Sequence, residues 1–200
     1  LHVSEAKAYG IDGGEPTIDW GVSLARKEEI VGGLVGGLAT LLKGRKVTVL
    51  NGHGRLHAGK RVTVSGGASG DLEVTGDAVV LAPGSLPRTL PGFDVDGTVV
   101  MTSDEVLSMP QLPKRAAIIG GGVIGCEFAC MCQAFGVQVT IVEMLPALLG
   151  VLDRDLGDAL LKTFKKRGIT CHLDTKVQEM TLSGNIVHAT LSNGTKLQHD

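Results

Sequence analysis

The chain has 200 residues, 43% of them hydrophobic, and a formal net charge of -2, enough apolar material for one or two domains with real cores. No dense Lys/Arg stripe offers the footprint that nucleic acid or an anionic membrane surface needs, so the expected partners are small molecules and any phosphate must be held locally. The most apolar stretch, residues 30–42, is well short of the ~20 residues that cross a bilayer, and a start at Leu1 with no basic-then-apolar leader reads as an internal piece of a longer protein.

The first predicted element is a helix over 19–43, with Asp19 as N-cap and Gly44 to end it. Its run VGGLVGG puts Gly32, Gly33, Gly36 and Gly37 in the helix interior, each at a cost of about 1 kcal/mol relative to Ala. Either another backbone or a cofactor approaches along the two Gly-xxx-Gly rows, or the helix is kinked and loosely packed. Short β segments follow at 47–50 (VTVL), 61–64 (RVTV), 72–74 (LEV) and 78–81 (AVVL). Residues 83–97 mix prolines and glycines between apolar runs, which marks an irregular crossing segment and a domain boundary. Ser103 is the expected N-cap of a short helix containing Asp104, Glu105, Val106 and Leu107.

Beyond the boundary the pattern is β-α-β-α. Residues 115–119 form a nearly wholly apolar strand of the kind covered on both faces in parallel sheets. A helix over 122–135, a strand over 137–142 and an amphipathic helix over 153–167, with Leu156, Leu160 and Phe164 on one face, complete the unit. Residues 169–173 supply a third parallel strand. An antiparallel meander then runs through 177–182, 186–191 and 195–198, turned at Gly184-Asn185 and Asn193-Gly194. The expected fold class is α/β, a Rossmann-like domain of parallel sheet plus three-stranded meander, with no internal repeat.

The loop Gly120-Gly121-Gly122-Val123-Ile124-Gly125 lies between the first strand and its helix. A lone glycine fingerprint is weak, but strand, loop, helix and a later acid in register make it specific for a dinucleotide. Gly120 allows the tight turn, Gly122 lets backbone approach a pyrophosphate, and Gly125 lets the helix pack close on the sheet. The free N–H groups of Gly122 to Ile124 and the positive end of the helix dipole face the phosphates. Glu143, at the end of the next strand, accepts hydrogen bonds from both adenine-ribose hydroxyls, and its charge would repel a 2′-phosphate, so NAD is expected over NADP. The competing reading is a packing turn with an incidental Glu. Glu127 is placed in the helix's first turn, where the dipole alone favours a carboxylate and a functional role stands beside that plainer one.

Cys126, Cys130, Cys132 and Cys171 form neither a disulfide framework nor zinc-type pairs. They are expected as reduced thiols packed like small apolar groups in a reducing compartment. None of the six histidines, at 2, 53, 57, 172, 188 and 199, has a Ser or Cys partner motif. Tyr9 has no Lys four residues on, which argues against a short-chain dehydrogenase. No catalytic or metal-ligating residue is assigned.

Taken together, these segments resemble the pyridine nucleotide-disulfide oxidoreductases, and within them the dihydrolipoamide dehydrogenase branch. LHV followed by EAKAYGI looks like the helix after the family's redox disulfide. GGLVGGLATLLKGRKVTVLNGHG is similar to its next helix and strand, APGSLPRTLPG to the end of its first flavin segment, and IIGGGVIGCEFA through VTIVEMLPALL to its NAD fingerprint. The resemblance implies a partial FAD-binding domain over 1–101 and an NAD-binding domain over 102–200 that lacks its last strand, leaving strand 115–119 with an open apolar edge. It implies that Gly54, in the turn after VTVLN, offers backbone to FAD, and that Pro83, Gly84 and Ser85 lie along the same cofactor. Pro83 replaces the family's usual Thr or Ala and has no N–H to donate. By the same likeness Gly120 to Ile124 hold the NAD pyrophosphate, Glu143 the ribose, Glu127 approaches the nicotinamide, and Val177 borders the adenine.

The family's N-terminal flavin fingerprint, its CxxxxC disulfide, its later GD motif and its C-terminal His-Glu pair have no counterpart here. The implied parent passes electrons from dihydrolipoamide through a cysteine pair and FAD to NAD. It would be a homodimer associated with 2-oxo acid dehydrogenase complexes, in the cytoplasm or, in a eukaryote, the mitochondrial matrix. The chain alone is expected to bind NAD without turning over. Soluble transhydrogenase, mercuric reductase and glutathione reductase share the implied fold, with Glu143 weighing against the last. A non-catalytic NAD-binding module and a glycine-loop methyltransferase are the readings from other classes.

Overall fold

The computed structural model describes residues 6–12, 14, 17–68, 70–184 and 186–199; the LHV opening and Asn185 of the first meander turn lie outside the described residues. The chain divides into one compact unit of residues 1–24 and 87–200 and a second of residues 25–86.

The segment read as a helix after the LHV opening is a short 3-10 turn, Ala6–Tyr9. Helix α1 spans Trp20–Gly44 without interruption. Its start is capped as the sequence predicts, by the Asp19 carboxylate accepting from the Val22 N–H at 3.0 Å. Among the described residues, a Cβ built on Gly32, Gly33, Gly36 or Gly37 would meet nothing within 4 Å.

In the smaller unit β1 (His53–His57), β2 (Arg61–Ser65) and β3 (Leu72–Thr75) form an antiparallel sheet in that order. Two predicted strands are absent. Residues 47–50 and 78–81 carry no strand pairing and expose Val47, Val49, Val80 and Leu81, because an apolar β-branched run becomes a strand only where a neighbour completes its hydrogen-bond ladder. Conversely β1, whose HGRLH has no apolar alternation, is held by a hairpin that pairs His57 with Arg61, with Gly59 and Lys60 at positive φ in its turn.

The larger unit holds the Rossmann pattern. Helix α2 is the single turn Ser103–Val106, and its N-cap is Thr102, not Ser103. Glu105 accepts from the Thr102 N–H at 2.7 Å and its hydroxyl at 2.5 Å. This reciprocal capping box pulls the Glu105 carboxyl below its usual range and selects the residue three before the acid. Strands β4 (Arg115–Ile119), β5 (Gln138–Val142) and β6 (Thr170–His172) form a parallel sheet in that order. Among the described residues β4 is the edge strand of this sheet, paired with β5, and it exposes Ile119.

Helix α3 (Val123–Ala134) and helix α4 (Arg154–Lys166) pack on this sheet. The face α3 buries is made of small residues, Cys126, Ala129 and Cys132, which lets it approach Val139 and Ile141 closely. On α4 the buried residues are Gly157 and Phe164, while Leu156, predicted to share the buried face, is 54% exposed. The cause is a close approach: a Cβ on Gly157 would stand 2.4 Å from the Leu148 carbonyl oxygen, so the helix meets the 145–150 turn on its glycine side. The indole N–H of Trp20 donates to the Met109 carbonyl at 2.9 Å and its ring meets Phe135 edge-on at 5.2 Å, tying the start of α1 to the end of α3. Strands β7 (Val177–Ser183), β8 (Ile186–Leu191) and β9 (Lys196–His199) form the expected antiparallel meander.

Candidate functional site

Three residues, 120–122, separate the end of β4 from the start of α3, and each glycine among them and at Gly125 in the helix's first turn has a distinct cause. Gly120 sits at φ +112°, which L side chains rarely adopt. Gly121 is buried, and a Cβ there would meet Leu148 Cδ2 at 2.6 Å and Glu143 Cβ at 3.2 Å. Gly122 is exposed, caps α3 with extended backbone, and has nothing within 4 Å of a built Cβ. Gly125 is the tightest, its Cβ position lying 2.1 Å from the Gly120 carbonyl oxygen.

The space at Gly122 is therefore open at the N-terminus of a 12-residue helix. The first amides of that helix, on Val123 and Ile124, have no intrahelical acceptor, and both residues are exposed. With the Gly122 N–H they form a donor set suited to an anionic oxygen. Gly121 does not belong to that set. Its N–H donates to Glu143 Oε2 at 2.6 Å, and its carbonyl accepts from the Leu149 N–H at 2.8 Å.

Glu143 follows β5 and is 9% exposed. Besides Gly121, its Oε1 accepts from the Leu145 N–H at 2.7 Å. Its backbone continues the pairing towards the meander: the Glu143 N–H donates to the His172 carbonyl, the Thr175 N–H to the Glu143 carbonyl, and the Asp174 N–H to the Leu145 carbonyl. That clamp delivers the chain to Val177, half-buried at the start of β7. The glycine loop, Glu143 and the segment leading to Val177 are thus brought together through named hydrogen bonds. Glu127 is exposed and is the fifth residue of α3, in its second turn and not its first.

The remaining predicted site residues belong to the smaller unit. Gly54 lies inside β1 opposite Val64 and not in a turn. The turn after 47–50 falls at Gly52, whose φ is +151° and whose Cβ would meet the Ser65 carbonyl oxygen at 2.7 Å. Pro83, Gly84 and Ser85 are exposed and outside any strand, with Gly84 at φ +76°. Sequence reasoning placed Gly121 on the pyrophosphate with the rest of the loop, whereas its N–H is taken by Glu143, and it missed Leu148 and Leu149, which pack on and bond to that glycine; the one signal available was a glycine in the fingerprint's variable second position.

All four cysteines are free. Burial first, then the neighbouring Cys171, Cys130 and Glu143, push the Cys126 thiol up to about 11, and burial raises Cys132 and Cys171 as well. Since the thiolate is the reactive form, Cys126 and Cys132 are expected to resist a thiol reagent at neutral pH in the native protein while half-buried Cys130 reacts first. Mass-spectrometric mapping of the labelled sites checks this; equal rates at all four would contradict the packing. No group of three or more potential metal ligands occurs among the described residues, and no described helix is long and apolar enough to cross a membrane.

The family model described as pyridine nucleotide-disulphide oxidoreductase matches residues 3–200. A dihydrolipoyl dehydrogenase of Mycobacterium bovis is 36% identical over 192 residues, 96% of this chain and 41% of that protein. One of Bacillus subtilis is 35% identical over 189 residues, 90% of this chain and 40% of that protein. Among solved structures, LpdA of Mycobacterium tuberculosis matches with a TM-score of 0.84 at 25% identity, covering 98% of this chain and 44% of that one. The HOCl-induced flavoprotein disulfide reductase RclA of Escherichia coli, as a Cu(II) complex, matches with a TM-score of 0.77 at 25% identity, covering 99% and 43%. The chain spans about two fifths of the length of these relatives.

Proposed function

Because this chain belongs to the pyridine nucleotide-disulphide oxidoreductase family, we propose that its residues 102–200 form an NAD-binding domain and its residues 1–101 part of an FAD-binding domain. The observation that carries the reading is the open space at Gly122, flanked by the outward amides of Val123 and Ile124 and, across the loop, by the buried Glu143. The residues fit the cofactor. Gly122, Val123 and Ile124 hold the pyrophosphate, Glu143 receives the adenine ribose on acceptor sites its amide partners leave free, Val177 borders the adenine, and Glu127 faces the nicotinamide end. Gly54, Pro83, Gly84 and Ser85 lie along FAD.

In the whole protein, NAD would serve as the hydride acceptor in a dihydrolipoyl dehydrogenase reaction drawing electrons from dihydrolipoamide through a disulfide and FAD. That protein would be a homodimer serving 2-oxo acid dehydrogenase complexes. The residues of this chain bind and orient dinucleotides without themselves forming the thiol pair or the His-Glu pair. The raised thiols of Cys126, Cys132 and Cys171 support this division, and they also favour the second reading, a dinucleotide-binding module that does no chemistry.

Titrating the purified chain with NAD, NADP, FAD and S-adenosylmethionine while following thermal unfolding tests the proposal, because a ligand that binds the native state raises the midpoint by mass action. NAD is expected to stabilise at concentrations about tenfold or more below NADP, the like-charge repulsion at Glu143 separating the two. Equal stabilisation by NAD and NADP would remove the specificity claim, and stabilisation by S-adenosylmethionine alone would remove the dinucleotide reading.

A further inference from the structure

Glu143 faces the loop it is supposed to serve from the side. Its carboxylate accepts from the amide of Gly121, 22 residues earlier in the chain, and from the amide of Leu145, two residues later. The Gly121 carbonyl is held in turn by the Leu149 N–H at 2.8 Å and approached by the Cys126 thiol at 3.4 Å. Leu148 closes over the glycine, and a Cβ there would meet it at 2.6 Å. Gly121 is thus gripped through both its backbone polar groups by residues 143–149, while its neighbour Gly122 is exposed and has nothing near its Cβ position.

We propose that Glu143 is a positioning residue for the phosphate-binding loop: its carboxylate clasps the Gly121 and Leu145 amides and so aims the amides of Gly122, Val123 and Ile124 at the pyrophosphate, a task separate from ribose recognition. The inference rests on the NAD reading above and adds to it that pyrophosphate affinity depends on Glu143. The clasp needs an acceptor at both ends. A Gln side chain of the same shape offers one oxygen and one NH₂ group, so one backbone donor would face another donor; Asp is one methylene shorter, too short to span the two amides in the same geometry. Cofactor preference and loop geometry therefore reside in one side chain, and exchanging Glu143 to admit NADP would weaken the phosphate contacts as well.

The test uses the whole chain, Glu143→Gln, NAD, and an NAD analogue whose adenosine ribose lacks both hydroxyls, with affinities measured by calorimetry well below the unfolding temperature. The analogue cannot touch Glu143 through its ribose. The variant is expected to weaken analogue binding by about fivefold or more, the scale of one lost charge-assisted hydrogen bond; a smaller change overturns the proposal. Amide hydrogen exchange on the unliganded wild type reads the clasp without any variant and decides the matter if Glu143→Gln fails to fold or the analogue binds too weakly to measure. The Gly121 amide is expected to exchange about 100-fold or more slowly than that of Gly122, and comparable exchange overturns the clasp. Failure of the wild type to bind NAD would sink the NAD reading, whereas a protected Gly121 amide would still establish the clasp, so the two failures are distinguishable.

Discussion

Gly125→Ala is expected to lower NAD affinity by about 100-fold or more and to destabilise the larger unit, while Gly122→Ala weakens NAD binding and leaves the unfolding midpoint nearly unchanged. The new Cβ at position 125 would lie 2.1 Å from the Gly120 carbonyl oxygen, 3.2 Å from its carbon and 3.3 Å from Ile118 Cγ2. Two of those three atoms are backbone, so no side-chain rotation relieves the clash, and α3 must lift away from β4. That motion carries the Val123 and Ile124 amides with it. At Gly122 the backbone is ordinary for any residue and the space around a Cβ is open, so a methyl group costs the protein little and obstructs the ligand alone. Calorimetric titration with NAD beside thermal unfolding of both variants separates the cases. Equal loss of stability in the two would contradict the packing around Gly125.

Phe164→Ala is expected to cost about 3–5 kcal/mol, a large share of the about 5–15 kcal/mol that holds a typical domain together. Phe164 has no exposed surface and sits in the cluster formed by Leu148, Val139, Ile141 and Ile169, so its loss opens a cavity in that core. Leu156→Ala is the control. Two turns earlier on the same helix and 54% exposed, Leu156 is expected to cost under about 1 kcal/mol. Urea unfolding followed by fluorescence of Trp20, the single tryptophan and one whose ring touches Phe135 in the same unit, measures both. A loss at Leu156 equal to that at Phe164 would return the buried face of α4 to the one periodicity predicts.

The strands of the parallel sheet, its two helices and the meander were legible because the signals that mark each of them are local. β-branched runs, glycines at the turns, the Asp19 cap and the Asn193-Gly194 turn all act within one turn or one hairpin. The smaller unit was far less legible. The apolar runs at 47–50 and 78–81 match a strand pattern as well as the observed strands do, and pattern says nothing about whether a neighbouring strand is present to pair with them. β1 was missed for the converse reason, since pairing with β2 makes HGRLH a strand despite its polarity.

At the candidate site, sequence alone marked the members of the glycine loop and the acid that meets it: Gly120, Gly122 and Gly125 by their spacing, and Glu143 by its place at the end of a strand. These are properties of a strand, a turn and a helix start, which local geometry dictates. Only the tertiary structure decided that the Gly121 amide donates to Glu143, that Leu148 covers it, and that Gly157 rather than Leu156 meets the 145–150 turn. Each of those contacts joins groups far apart in the chain, and its existence depends on ångström-scale distances between β4, β5 and α4 that no periodicity in the sequence encodes.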